Sequence, residues 1–134
     1  RFNRFHTTAS LIILELTPSQ DGDLPLDASM REDTLKVVAT HCLNTVREVD
    51  VVSRFNGEQF IILCPQTELD AAKILADRLL ACLMGHYLLS ENFNVAIGMS
   101  QLKESEEFPE WMERTVKALY QSKRQGFGSV SVAQ

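Results

Sequence analysis

Asn56-Gly57 stands between two short apolar runs, Val51–Phe55 and Phe60–Leu63. Both residue types accept the positive φ of a tight hairpin turn, so this dipeptide predicts an antiparallel hairpin mid-chain. The rest of the chain alternates around it. Ala9–Leu16 is an Ile/Leu-rich run of strand length. A helix is expected from near Ser29, with Glu32 completing a capping box. Leu35, Val38, Ala39, Cys42, Val46 and Val49 carry its apolar stripe to about Val46–Val49. A second helix is expected from Thr67, capped with Asp70, burying Ala71, Ile74, Leu75, Leu79 and Cys82 and stopping at Gly85. Phe93–Met99 reads as a strand. Pro109 opens a third helix with Trp111, Met112, Thr115, Val116, Leu119 and Tyr120 on its core side. Gly126 and Gly128 end it, and Ser129–Val132 is a last strand. The order β-α-β-β-α-β-α-β predicts an α/β (α+β) fold. It is a ferredoxin-like core in which helices flank a central mixed five-stranded sheet.

A chain of 134 residues, nearly half of them apolar, suits one domain with one core. Its net charge of −5 argues against duplex nucleic acid as a partner, which needs a basic face. It leaves room for one small anion held by a few arginines. No apolar run approaches the roughly 20 residues of a membrane span, and no secretory signal is visible. The chain begins with Arg, so it is expected to be a fragment of a longer, multidomain protein. A cytoplasmic location is expected, either free or as the cytoplasmic part of a membrane protein. Cys42, Cys64 and Cys82 each sit in an apolar pattern and are expected to be buried, reduced and without metal. His6, His41 and His86 show no ligand-like spacing.

Several segments, in order and at matching separations, resemble the GGDEF domains of bacterial diguanylate cyclases. They are Leu11-Ile-Ile-Leu-Glu15-Leu-Thr17, Leu35-x-x-Val-Ala39, Ser53-Arg-Phe-Asn-Gly-Glu-Gln-Phe60-Ile-Ile-Leu-Cys-Pro65, Val95-Ala-Ile-Gly98 and Ala118-Leu-Tyr-Gln-Ser-Lys123-Arg-Gln-Gly126. The resemblance implies the GGDEF/palm-type version of the fold, in one degenerate domain over residues 1–134 that lacks the family's N-terminal helix.

A cyclase of this family condenses two GTP molecules, one on each of two facing domains, with Mg²⁺ held by carboxylates. By resemblance, Glu15 and Glu58 stand at the metal positions and Lys123 at a phosphate position. Asn56-Gly57-Glu58-Gln59-Phe60 replaces Gly-Gly-Asp/Glu-Glu-Phe, so Gln59 lacks a charge and Asn56 adds a side chain. Ser19 and Gln20 replace a phosphate-clasping Phe-Lys, Phe127 replaces an Arg, and Asp23 and Glu32 fall at the guanine-reading positions. Lost clasping charges commonly cost about a hundredfold each. The expectation is therefore no catalytic residue and no enzyme activity, no required cofactor, and Mg²⁺ only alongside residual GTP.

The family also has an inhibitory site for cyclic di-GMP, built on Arg-x-x-Asp and an arginine of the next helix. Arg47, Asp50 and Arg78 fall at those positions. A bidentate arginine–guanine contact discriminates by about 1–3 kcal/mol. Taken alone, Arg47–Asp50 reads more readily as an exposed ion pair than as a binding site, and Glu15 and Glu58 more readily as solvated charges than as ligands. The expected function is a receptor for cyclic di-GMP that regulates other domains or a protein partner, including as a homodimer. The alternatives are a GTP-binding or dimerisation module for a neighbour such as an EAL phosphodiesterase, and a weakly active cyclase.

Overall fold

A computed structural model describes residues 8–19 and 28–134. Strand β1 (Ala9–Pro18) lies at the middle of the sheet because its apolar run has no polar side to turn outward. Leu11, Ile12, Ile13 and Leu14 are all at most 1% exposed. Around it the strands are ordered β2-β3-β1-β4-β5, with β2 (Val51–Phe55), β3 (Gln59–Pro65), β4 (Phe93–Gln101) and β5 (Val130–Val132). β1 is antiparallel to β3 and β4, and β4 is parallel to β5, which makes the sheet mixed.

Period-two alternation along β1 sorts its side chains between two helical layers. Ile12, Leu14 and Leu16 face α1 (Ala28–Thr45) and α2 (Leu69–Met84), packing with Leu35, Val38, Ala76 and Leu79. Leu11 and Ile13 face α4 (Phe108–Arg124), with Trp111 and Leu119. By the same alternation Glu15 lies on the α4 face. The backbone of α4 comes so close to β4 that a Cβ on Gly98 would lie 2.2 Å from the Leu119 nitrogen. Only glycine fits there.

The hairpin forms as expected, with Asn56 at φ 48° and Gly57 at φ 77°. Gly85 caps α2, and Glu107 and Glu110 form a capping box on α4 with Pro109 in the first turn. Several details differ from the sequence reading. α1 begins at Ala28 and ends at Thr45, so Ser29 is inside the helix, and Glu32 binds Arg54 instead of a cap. Val49 is 61% exposed. α2 begins at Leu69 with Glu68 as its cap residue, while the Thr67 hydroxyl donates to the Pro65 carbonyl. Its buried side is Ala72, Ala76, Leu79 and Leu83: Leu79 is buried as expected and Leu75 is half-buried against the core, while Ala71, Ile74 (60% exposed) and Cys82 face outward. A short helix, α3 (Tyr87–Asn92), was not expected. Tyr120 lies outside the core and Lys123 Nζ sits over its ring, 5.2 Å from the centroid. Cys42 and Cys64 are buried as expected, but Cys82 is exposed. Among the described residues no helix is long and apolar enough to cross a membrane.

Candidate functional site

The expected site residues gather at opposite ends of β3. Gln59 pairs with Glu15 at one end and Pro65 with Ala9 at the other. At about 3.3 Å per residue the two ends are roughly 20 Å apart.

At the turn end, Glu15, Leu16, Thr17, Pro18, Asn56, Glu58 and Gln59 line an open cleft of about 290 Å³. Glu15 reaches the α4 face, where Lys123 Nζ forms an ion pair with its Oε2. The register sets Gln59 opposite Glu15, and Gln59 Nε2 donates to Glu15 Oε1 at 2.6 Å. Thr17 Oγ1 donates a longer bond to Oε2 at 3.4 Å. Glu58 is paired across 3.7 Å with Arg31 of α1. Beside the turn, Arg54 Nε donates to the Gly57 carbonyl at 2.7 Å and its guanidinium binds the Glu32 carboxylate. Arg54 thereby holds Glu32 below the usual carboxylate range. Glu32, expected at a guanine-reading position, is thus engaged with Arg54. Ser19 N–H donates to the Asn92 carbonyl at 2.8 Å, and Gln20 and Asp23 lie outside the described residues.

A divalent cation here would use Glu15 and Glu58. Among the described residues no three His, Cys, Asp or Glu side chains are grouped to hold an ion. Glu15 already has an ammonium on one oxygen and an amide on the other. An ion bound here would have to displace Lys123 or Gln59 from Glu15. A glutamate in place of Gln59 would set two carboxylates in contact, which requires a shared proton or a cation. The glutamine removes that requirement.

At the other end, Arg47 and Asp50 close a loop between α1 and β2. Asp50 Oδ2 accepts from the Arg47 backbone N–H at 2.8 Å and from Nε at 3.2 Å, while Oδ1 accepts from Nη2 at 2.7 Å. Asp50 N–H returns a bond to the Arg47 carbonyl at 3.0 Å. The guanidinium also donates to the Pro65 carbonyl at 3.1 Å and to the Thr67 hydroxyl. These bonds to Asp50 raise Arg47's affinity for its proton. The Asp50 side chain is fully buried, whereas that of Arg47 is 52% exposed. As placed, neither Asp50 oxygen faces solvent, so the acid holds the arginine and is not itself presented to a purine. Arg78 is exposed on α2, nine residues beyond Leu69 and so roughly 14 Å along the axis from the Arg47 end. The structure brings Arg47 and Asp50 together but does not bring Arg78 into contact with them.

Sequence reasoning missed the partners: Thr67 and Pro65 for Arg47, Gln59 for Glu15, Arg31 for Glu58. The Gln59 contact follows once the register of β1 against β3 is known. The Arg31 contact crosses from a helix to a turn and leaves no local pattern.

Comparison with known proteins bears on both ends. A family model described as "Diguanylate cyclase, GGDEF domain" matches residues 29–129. Diguanylate cyclase DgcP of Pseudomonas aeruginosa is 30% identical over 106 residues, covering 76% of this chain. The chain spans only 16% of that protein's length. Among solved structures, the active GGEEF domain of a diguanylate cyclase from Vibrio cholerae superposes with TM-score 0.82 at 20% identity, over 98% of this chain and 86% of the other. The GGDEF domain of DgcB from Caulobacter crescentus, in complex with c-di-GMP, gives 0.75 at 20% identity, over 96% and 80%. These structural likenesses establish the fold. The expectation that the chain is not an enzyme is corrected by these findings, because the matching family and the DgcP relative are named as diguanylate cyclases. The chain belongs to the GGDEF diguanylate cyclase domain family.

Proposed function

We propose that this domain works in cyclic di-GMP signalling by binding the dinucleotide along the edge marked by Arg47 and Arg78, as a regulatory site within a longer polypeptide. Arg47 carries the reading: its guanidinium is pinned by Asp50, Pro65 and Thr67, yet half of the side chain faces solvent. Nε and Nη2 are committed to these partners, and the pinned, flat guanidinium loses little freedom on stacking on a purine face or donating from Nη1 to a guanine or phosphate oxygen. Asp50 sets its plane. Arg78 supplies a second, exposed cation on α2, roughly 14 Å along the axis from Leu69. The complex of the DgcB GGDEF domain with c-di-GMP supports the ligand class.

Titration of cyclic di-GMP by calorimetry tests this. Binding is expected to weaken at least tenfold in Arg47→Ala and in Arg78→Ala. Affinities equal to the parent chain would remove the proposed site.

Family membership and the two acids lining one cleft favour a second reading, GTP condensation at the Glu15–Glu58 end. Lys123 would then turn from Glu15 toward a phosphate, and any Mg²⁺ would come with the nucleotide, which supplies ligands that the protein lacks. One such cleft holds one nucleotide, so condensation needs a second copy facing it. Product formed from GTP and Mg²⁺, growing with the square of protein concentration and abolished by Glu58→Ala, is the expected result. No product at high concentration would end this reading.

A further inference from the structure

Where α1 and α2 pack together, three side chains outside both ends form a thiol–imidazole cluster. Cys82 Sγ lies 3.1 Å from His41 Nδ1. The His86 ring stands edge-on to His41, centroids 5.6 Å apart at 81°. Among the described residues His86 Nδ1 is one of the few buried polar atoms without a hydrogen-bond partner. The three thiols differ sharply. Burial pushes the Cys42 thiol up to about 12, with Cys82 adding to it. Burial also pushes Cys64 up to about 12, aided by the charge of Asp50. Cys82 alone combines exposure with a contacting base. It also stands one helical turn beyond Arg78 on α2, so the two share a face.

We propose that Cys82 is a thiol–disulfide exchange site activated by His41, and that an anionic adduct there weakens ligand binding at Arg78. The second half rests on the cyclic di-GMP reading above. The co-reactant is a small disulfide such as oxidised glutathione. His41 Nδ1 takes the thiol proton, and the Cys82 thiolate attacks one sulfur of the disulfide. A new S–S bond forms to Cys82 as the old one breaks. The leaving thiolate recovers the proton, so Cys82 is oxidised and half of the disulfide is reduced. The attached glutathione brings carboxylates within a turn of Arg78, where they compete with phosphate for the guanidinium.

The native chain is incubated with oxidised glutathione and read by intact mass and peptide mapping. One adduct per chain, on Cys82, is expected, with none on Cys82→Ser. His41→Phe and His41→Gln should both react about tenfold more slowly, because glutamine keeps a hydrogen bond but is no base. Modification of Cys42 or Cys64 in the folded chain, or an undiminished rate in His41→Gln, would overturn the site. Calorimetry on the purified adduct should then show cyclic di-GMP bound at least fivefold more weakly, restored by a reducing thiol. An unchanged affinity overturns the regulatory half. Absence of binding by the unmodified chain would instead remove the ligand reading, and with it the regulatory half, while leaving the mass result to decide the exchange site.

Discussion

The two ends of β3 hold similar inventories, a carboxylate beside a cation, and present them in opposite ways. At the Pro65 end the acid is fully buried and its arginine is half exposed. At the Gln59 end the acids line the cleft, while Lys123 and Arg31 reach in from α4 and α1. The reason is connectivity. Asp50 sits in the turn from α1 into β2, where its oxygens meet backbone N–H as well as side chain. Glu15 sits near the end of the central strand, where alternation aims it at the last turn of α4. One end offers a fixed cation, the other a neutralised pair of acids. On the proposed reading, anionic purines meet the fixed cation at one end, while the other end depends on which cation meets Glu15.

The largest effect should come from breaking the buried acid. Asp50→Ala removes three bonds to Arg47 and leaves its backbone N–H without a partner. A loss of about 2–3 kcal/mol is expected, since bonds to a charged acceptor are the strong ones. Urea unfolding monitored by fluorescence of Trp111 measures it. The matching variant at the other end, Glu15→Gln, should cost clearly less, because Glu15 and Lys123 are both partly solvated. Equal losses would mean that the ends do not differ in the way burial suggests.

The contrast also explains what was legible in the sequence. Strand β1, the hairpin and the segments that resemble the family were readable because each is a local pattern: a continuous apolar run, an Asn-Gly turn, a fixed spacing. On α2 Leu79 was legible, but Ala71, Ala72, Leu75 and Ala76 offer two apolar stripes, and only packing on α1 and the sheet chooses Ala72, Ala76 and Leu83 over Ala71, Ile74 and Cys82. Arg47 and Asp50 were legible as a pair, but not the burial of the acid, nor the Pro65 carbonyl and Thr67 hydroxyl that complete Arg47's bonding. His41 and Cys82, far apart in sequence, meet only because two helices pack side by side. The absence of enzymic activity expected from single substitutions is corrected by family membership, because the matching family is named for diguanylate cyclases.

The turn end can be pushed toward the opposite electrostatic character with one atom exchange. Gln59→Glu turns the 2.6 Å amide–carboxylate bond into a carboxylate–carboxylate contact. Two acids at that distance raise the titration of one of them, so stability should fall by about 1–2 kcal/mol at neutral pH and recover as pH is lowered. Millimolar Mg²⁺ or Mn²⁺ should raise the melting temperature of this variant and leave the parent chain nearly unmoved. A variant insensitive to both acid and metal would show that Lys123 alone already absorbs the added charge.

The smallest effect concerns a third pair, which calibrates the first two. Arg114 donates from Nε to Glu106 Oε2 at 2.7 Å and from Nη2 to Oε1 at 2.8 Å, the same two-pronged chemistry as Arg47–Asp50 but set beside Gln101 at the end of β4. Lys103 N–H adds a bond at 3.0 Å. The Arg114 bonds, more than any other cause, hold Glu106 at about 2, below its ordinary 4.5. A carboxyl lowered on folding stabilises above its unfolded value and loses that contribution as pH falls through the folded one. The stability difference between the parent chain and Glu106→Gln should therefore be about 1 kcal/mol near neutrality. It should shrink between pH 4.5 and about 2, measured by thermal melts across that range. Gln59→Glu must move the other way, gaining against the parent chain as acid is added. Opposite slopes from two carboxylates in one domain would show that the partner each acid meets, rather than the fold's overall charge of −5, governs its titration.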